Sequence, residues 1–433
     1  MLESINRTYK QYPKGFWYLM AVSFVDMLGG SLIFPFFSLF MTKKFNVGMT
    51  EVGTMFLVWA VTSGVIGNTL GGAMADRFGR KLNIIIGLVA SATSALLMVV
   101  IKNVFLFYVA IAIVGIFEDI AGPARKAMIT DLVPEDKRED AFGMFRIVFN
   151  LSVTIGPAVG GFLAARSFEM LFIVDVVISL LVAMAVYFFI KETKPNRTEQ
   201  TEEKTSFIRT FNGYKQVLKD KPFMAFTIVS IFSTLMYINM NSSLSVFLVN
   251  HKGISTAQFG TILSLNAGMV VLFQMLVTRL TATWKPMLAL AIGNLLYVIG
   301  FSMYGYVVTY GLYLIAMAII TIGEMIIAPK EQSLAAGFAP EDMRGRYLAI
   351  HAFAWIIPVA FGPLGAGMIM DNLSPNLLWF AAGMVGLLAV FGFMTLHFKV
   401  GRLFDLHKND SEDPVKKHID PYQDQEIPAV AAK

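Results

Sequence analysis

The sequence contains no cysteine. That excludes disulfides, thiolate zinc sites and iron–sulfur clusters, and leaves the compartment open. Charge is also scarce, with Asp, Glu, Lys and Arg making up 15% of the chain, against about 25% in an average soluble domain. What fills the space is apolar: 56% of the 433 residues are hydrophobic, 37 of them Phe, and the mean hydropathy is +0.63. A soluble domain of about 300 residues still leaves roughly a quarter of its unfolded-chain surface exposed, so it has nowhere to hide this much apolar surface. Soluble enzymes, disordered chains and coiled coils are excluded, and a polytopic membrane protein remains. No P-loop, no Gly-rich dinucleotide turn and no His cluster is present. No enzyme activity, cofactor or metal site is therefore expected.

A membrane helix needs about 20 apolar residues. Runs of that length fall at 16–41, 51–75, 82–101, 104–131, 139–165 and 168–190, then at 222–250, 256–280, 285–307, 309–337, 342–371 and 375–398. The pattern predicts an all-α membrane protein of twelve transmembrane helices. Its parts are an N-terminus (1–15), a first six-helix bundle (16–190), a linker (191–221), a second six-helix bundle (222–398) and a tail (399–433). Phe207 to Leu218 in the linker has the spacing of an amphipathic helix lying on the membrane surface. The tail after Arg402, with Pro414, Pro421 and Pro428, reads as disordered. Residues 1–15 are polar and basic and lead straight into a full span, with no cleavable signal peptide apparent. If the N-terminus is cytoplasmic, that side holds 29 of the 35 Lys and Arg residues and the outside loops hold five. The basic excess is thus a topology signal placing both termini in the cytoplasm, not a nucleic-acid surface.

The halves repeat. At an offset of 206 residues Glu118 meets Glu324, Pro123 meets Pro329, and Pro134-Glu135-Asp136 meets Pro340-Glu341-Asp342. Gly156-Pro157 meets Gly362-Pro363 and Gly161 meets Gly367, without a gap. Two parallel six-helix repeats, related by an axis along the membrane normal, are one of the known transporter architectures.

The loop after the second span reads Gly72-Ala-Met-Ala-Asp76-Arg77-Phe-Gly79-Arg80-Lys81. It resembles the G-x-L-a-D-r-x-G-R-k signature of the major facilitator superfamily, with Met74 in place of Leu. Span 5 ends Gly156-Pro157-Ala-Val-Gly160-Gly161, similar to the antiporter motif of exporters, and span 1 holds Asp26-Met-Leu-Gly29-Gly30 followed by Pro35, similar to twelve-helix drug/proton antiporters. The resemblance covers residues 16–398. It implies the major facilitator fold and proton-driven efflux. It also departs in places: Ile111 stands where many drug antiporters have Arg in helix 4, and Asn239 and Asn241 stand where relatives carry an acid in helix 7.

An ionisable residue at membrane depth is costly, roughly 3 kcal/mol on insertion scales, and marks a functional site by default. Asp26, Glu118 and Glu324 lie near the middle of their spans, with Asp119 beside Glu118 and Arg146 in span 5. With Asn239 and Asn241 they form the candidate site for proton coupling and substrate. Such acids can instead serve fixed ion pairs or helix-to-helix hydrogen bonds. Arg125 could pair with Glu331 across the two halves, or reach the surface. Asp175, Asp371 and His351 rank behind these. Gly72, Asp76, Arg77, Gly79, Arg80 and Asp131 form a candidate cytoplasmic gate, in which Asp76 faces a helix N-terminus and Arg80 pairs with Asp131. Gly156, Pro157, Gly160 and Gly161 should let span 5 approach span 8 closely.

The expected function is secondary active efflux at the cell membrane by a monomer. It would be proton-coupled antiport of hydrophobic or cationic drug-like compounds, the partners being a small-molecule substrate, protons and the lipid bilayer, and no nucleic acid. A carrier of one metabolite, using a polar cavity of Asn239, Asn241, Ser242 and Ser243, remains an alternative, as does a non-transporting receptor on the same fold.

Overall fold

The computed structural model describes residues 11–194, 214–340 and 343–409, apart from the side chains of Asn68, Ala73, Asp76, Asp136, Glu139, Arg344, Gly345 and the residues after 400. Among the described residues twelve helices are long and apolar enough to cross a membrane. The first six are α1 (Lys14–Phe45), α2 (Met49–Gly72), α3 (Arg80–Val100), α4 (Val104–Leu132), α5 (Asp140–Ala164) and α6 (Phe168–Phe189). The second six are α7 (Lys221–Ser242), α8 (Thr256–Leu280), α9 (Pro286–Tyr306), α10 (Tyr310–Gly337), α11 (Arg346–Asn372) and α12 (Pro375–Val400). An even number of crossings puts the start of α1 and the end of α12 on one face, the terminal face; the opposite one is the distal face.

Most ends match the hydropathy pattern, and the differences have local causes. Regular helix in α7 stops at Ser242, short of 250, and the chain continues through the turns Leu244–Val246 and Phe247–His251. There the hydroxyls of Ser242 and Ser243 bond back one turn, to Ile238 O and to the Asn239 side chain, a pattern that perturbs helices. At the other end, the helix of α12 continues to Asn409, so the tail is not irregular from Arg402 as its charge suggested. Arg402, Leu403, Leu406 and Lys408 all favour helix, and no proline intervenes before Pro414. Residues 214–218 of the expected surface helix are helical; the rest of that stretch, and the tail beyond 409, lie outside the described residues.

The two bundles meet through small residues near the distal face. A Cβ on Gly161 of α5 would fall 2.6 Å from the Cα of Gly260 in α8. On the repeat-related side, Gly53 of α2 backs onto Leu364 of α11, and Gly367 of α11 onto Met49. Without side chains the backbones come close enough for dispersion contacts to join them. Phe36 stacks edge-on against Phe259 at 5.6 Å beside the α5–α8 crossing. Gly156 and Gly160, one turn apart on α5, lie instead against Ser31 and Leu32 of α1. The motif on α5 thus has two faces, one packing inside its own bundle and one across to the other. Asp371 adds hydrogen bonds between the halves at the same end, from Met49 N at 3.0 Å and Thr50 N at 2.7 Å. This conformation is therefore closed distally.

Candidate functional site

The site begins with a break in α4. Its helix is regular through Glu118, is interrupted at Asp119 and Ile120, and resumes at Ala121. Pro123 has no N–H to give to the Asp119 carbonyl, and Gly122 N reaches that oxygen at 3.2 Å instead. The repeat-related Pro329, by contrast, sits inside the unbroken helix of α10. The difference lies in what packs alongside. Opposite the α4 break, α2 winds into a π-helical stretch, Ala60–Gly67, a distortion frequent at functional sites. Gly67 and Gly71 lie directly on the backbone of Ile116 and Ile120, where Cβ atoms would be 2.6 and 2.8 Å from main-chain atoms. This close contact sets Trp59 over Glu118, and the indole Nε1 donates to Glu118 Oε2 at 3.3 Å.

The second half builds a richer version of the same contact. Tyr237 of α7 donates its hydroxyl to Glu324 Oε1 at 3.1 Å, and Asn266 of α8 donates Nδ2 to Oε2 at 2.8 Å. The Asn266 amide also reaches Thr321 Oγ1 at 3.0 Å. Tyr237 stacks on Tyr297, with ring centroids 6.0 Å apart, and lies 6.3 Å from the half-exposed Trp355 ring. Each of the two repeat-related glutamates therefore receives a hydrogen bond from an aromatic side chain on a neighbouring helix. Trp59 packs on a cluster in which Ala60 meets Ile238, Val359 and Ala360 of the other half, so the Glu118 side of this arrangement borders the boundary between the bundles.

Arg125 does not meet Glu331. Its Nη2 donates to Asp26 Oδ2 at 2.5 Å, and it is buried, with 8% exposure, rather than reaching the surface. Glu331 faces His351 at 3.6 Å, and that ring stacks on Phe226 at 5.1 Å. The halves touch near the distal face, so at this level each charge finds its counter-ion in its own half. Asp26 accordingly sits in an ion pair. Asp119 is half-buried, with Oδ1 over Gly122. Arg146 is exposed and has no carboxylate partner among the described residues.

The polar run on α7 is not a cavity wall. Asn239, Ser242 and Ser243 are buried, and their side chains bond to Leu235 O, to Ile238 O and to one another. Asn241 is half-buried beside the Tyr237 hydroxyl. Asn239 thus stands apart from Glu324, whereas Tyr237, Asn266 and Trp59 join the site without having been singled out in the sequence.

At the terminal face Arg80 Nε pairs with Asp131 Oδ2 at 3.0 Å, and its Nη1 reaches Ala75 O at 2.8 Å. Gly79 adopts φ +102°, which favours glycine. The space where its Cβ would sit is taken by Glu192, a residue placed only in the linker from sequence. Glu192 follows α6 and accepts the backbone N–H groups of Arg80 at 2.9 Å and Lys81 at 3.1 Å, so it caps α3. Thr193 Oγ1 bonds to Asp131, and Lys194 Nζ to Arg77 O. Burial pushes the Glu192 carboxyl up, but the N–H donors of Lys194, Arg80, Thr193 and Lys81 outweigh it and hold the group below the usual carboxylate range. Around Gly72 there is open space. The Asp76 side chain lies outside the described residues.

With this geometry in place, the relatives are informative. The Major Facilitator Superfamily family model matches residues 19–363. The chain belongs to that superfamily, a family of membrane transporters. It is 26% identical over 379 residues to the "Na(+), Li(+), K(+)/H(+) antiporter" of Planococcus maritimus, covering 81% of this chain and 87% of that protein. Against "Multidrug resistance protein 1" of Bacillus subtilis (strain 168) it is 28% identical over 236 residues, 54% of this chain and 58% of that one. Among solved structures, an inward-facing, unoccupied bacterial homologue of the human lysosomal transporter Spinster superposes with a TM-score of 0.69 at 14% identity, over 90% of this chain and 97% of the other. At that identity the likeness concerns the fold.

Proposed function

We propose that this transporter is an antiporter exchanging protons for cationic compounds by alternating access. The observation that carries the reading is the matched pair of glutamates. Glu118 and Glu324 occupy equivalent places in the two repeats, and each is hydrogen-bonded to an aromatic donor, Trp59 or Tyr237. A carboxyl at membrane depth takes a proton in one state and a cation in another, and that competition is what antiport needs. The rings of Trp59, Tyr237 and Trp355 add faces attractive to an organic cation. By the bias of basic residues the terminal face is cytoplasmic. The distally closed conformation is then inward-facing, and the Arg80–Asp131 loop belongs to the cytoplasmic gate of a monomer in the cell membrane.

A second reading is exchange of protons for monovalent metal cations. The printed activity of the Planococcus maritimus relative favours it, and so do the oxygen atoms of Tyr237 and Thr321 gathered beside the Glu324 carboxylate, since hard cations take oxygen ligands. Proteoliposomes with an acidic, dye-loaded lumen separate the two. Internal pH should rise on adding ethidium under the first reading, and on adding sodium or potassium under the second. No response to any of these cations, from folded protein, overturns proton antiport.

A further inference from the structure

α5 and α8 touch at Gly161 and Gly260 near the distal face. At about 3.6 residues per turn, the touching side of α5 continues towards the terminal face through Thr154, Asn150, Ile147 and Gly143. That of α8 continues through Ala267, Val271 and Thr278. Two turns from the crossing, Ala267 is buried and Thr154 half-buried. From the third turn onward Asn150, Ile147, Gly143, Val271 and Thr278 are all exposed. A Cβ on Gly143 would meet nothing within 4 Å. The helices therefore part, leaving a wedge that opens on the terminal side. Its walls are apolar: Ile147 is 65% and Val271 60% exposed, with Leu272 and Met275 exposed beside them. At membrane depth such walls favour hydrocarbon over water.

Each wall also carries one cation. Arg146 adjoins Ile147 on α5, and Arg279 adjoins Thr278 on α8. Both are exposed, and neither has a carboxylate partner among the described residues. On α2, the repeat counterpart of α8, residues 60–72 include no basic side chain, so the charge belongs to this opening and not to the symmetry of the fold. We propose that the opening between α5 and α8 binds an anionic phospholipid of the terminal-side leaflet. Arg146 and Arg279 donate to its phosphate, and an acyl chain lies between Ile147 and Val271. The length agrees. Arg146 is about 22 Å along α5 from the Gly161 crossing, and an acyl chain reaches about 15 Å, half the hydrocarbon core. Closing the terminal face would bring α5 and α8 together along this line and expel the lipid. A ligand bound to one state alone favours that state, so the lipid holds the conformation seen here.

The test uses the full chain in phosphatidylcholine proteoliposomes that carry a minor fraction of phosphatidylglycerol with brominated acyl chains. The absence of native cysteine lets Leu272→Cys, on the wall of the wedge, and Phe391→Cys, exposed on α12, each carry a single fluorescent label. The two positions lie eight and nine residues from the terminal ends of their helices, at matched depth. Bromine should quench the label at 272 more than the label at 391. Arg146→Gln and Arg279→Gln should each cut that excess about fivefold and leave position 391, which reports insertion, unchanged. Arg146→Lys, which keeps the charge, should retain most of the excess. Equal quenching at the two positions overturns the site, as does an excess that survives loss of both arginines. An excess removed by inorganic phosphate, or by diluting the protein in lipid, also overturns it, marking a soluble-anion site or a contact between copies instead.

Discussion

Asp371 accepts the backbone N–H of Thr50 at 2.7 Å, across the boundary between the two halves. The end of α11 thereby caps the start of α2. The residue before α2, Gly48, has no side chain to do so itself. α8, the repeat counterpart of α2, is different: it carries its own capping box, Ser255 with Gln258. One helix is finished within its half, the other only while the distal face is closed.

Removing that cap should favour distal opening. A lost cap is worth about 1 kcal/mol, a several-fold shift in population. The absence of native cysteine lets a single Thr54→Cys report access beside the Gly53–Leu364 contact. In that background Asp371→Ala should speed labelling by a membrane-impermeant maleimide several-fold. Adding Gly48→Ser, which supplies a cap from within the same half, should restore thermal stability but not the slow labelling. Equal labelling rates with and without Asp371 would show that the contact holds nothing shut.

Glu192 gives a pH-dependent contribution with a definite sign. Its carboxylate is favoured by folding, so the stabilisation is present above the ordinary carboxylate pKa of about 4.3 and is lost as pH falls through the lower folded value. Glu192→Gln should lower the unfolding free energy by about 1 kcal/mol at neutral pH, with the gap to wild type closing in acid. Thermal unfolding in detergent across pH measures this. Gly79→Ala, forced to φ +102° and onto Glu192, should be destabilised at every pH.

The α5–α8 crossing should tolerate no side chain. Gly161→Val places carbon atoms where Gly260 already lies. At about 1–3 kcal/mol for overpacking, distal closure and transport should fall tenfold or more. Gly365→Val, on α11 with nothing within 4 Å of the added Cβ, serves as the control and should transport normally. Flux rates normalised to membrane-inserted protein check both.

The twelve helices and their repeat were legible because every span must carry its own apolar length, and the offset of 206 brings matching residues into register. Glu118 and Glu324 were legible for the complementary reason, since charge is rare at that depth. Their partners were not. Trp59 lies 59 residues from Glu118 and Tyr237 lies 87 from Glu324, and hydropathy carries no signal for lateral packing between helices. The same limit explains why Arg125 was left between a pair with Glu331 and a reach to the surface: the repeat suggested a contact across the interface, whereas Arg125 pairs with Asp26 and Glu331 with His351, each within its own half. Glu192 went unseen because a carboxylate in a charged linker looks like any other until Gly79 is found against it.

Proton release on cation binding tests the role of the two glutamates most directly. Purified protein in weakly buffered detergent solution, titrated with ethidium at neutral pH, should release protons as the cation displaces them. Glu324→Gln should bind more weakly and release fewer protons per ethidium bound, and Glu118→Gln should behave alike, while Tyr237→Phe shifts the pH at which release occurs. Undiminished proton release per ethidium bound in both Gln variants would contradict exchange at this pair.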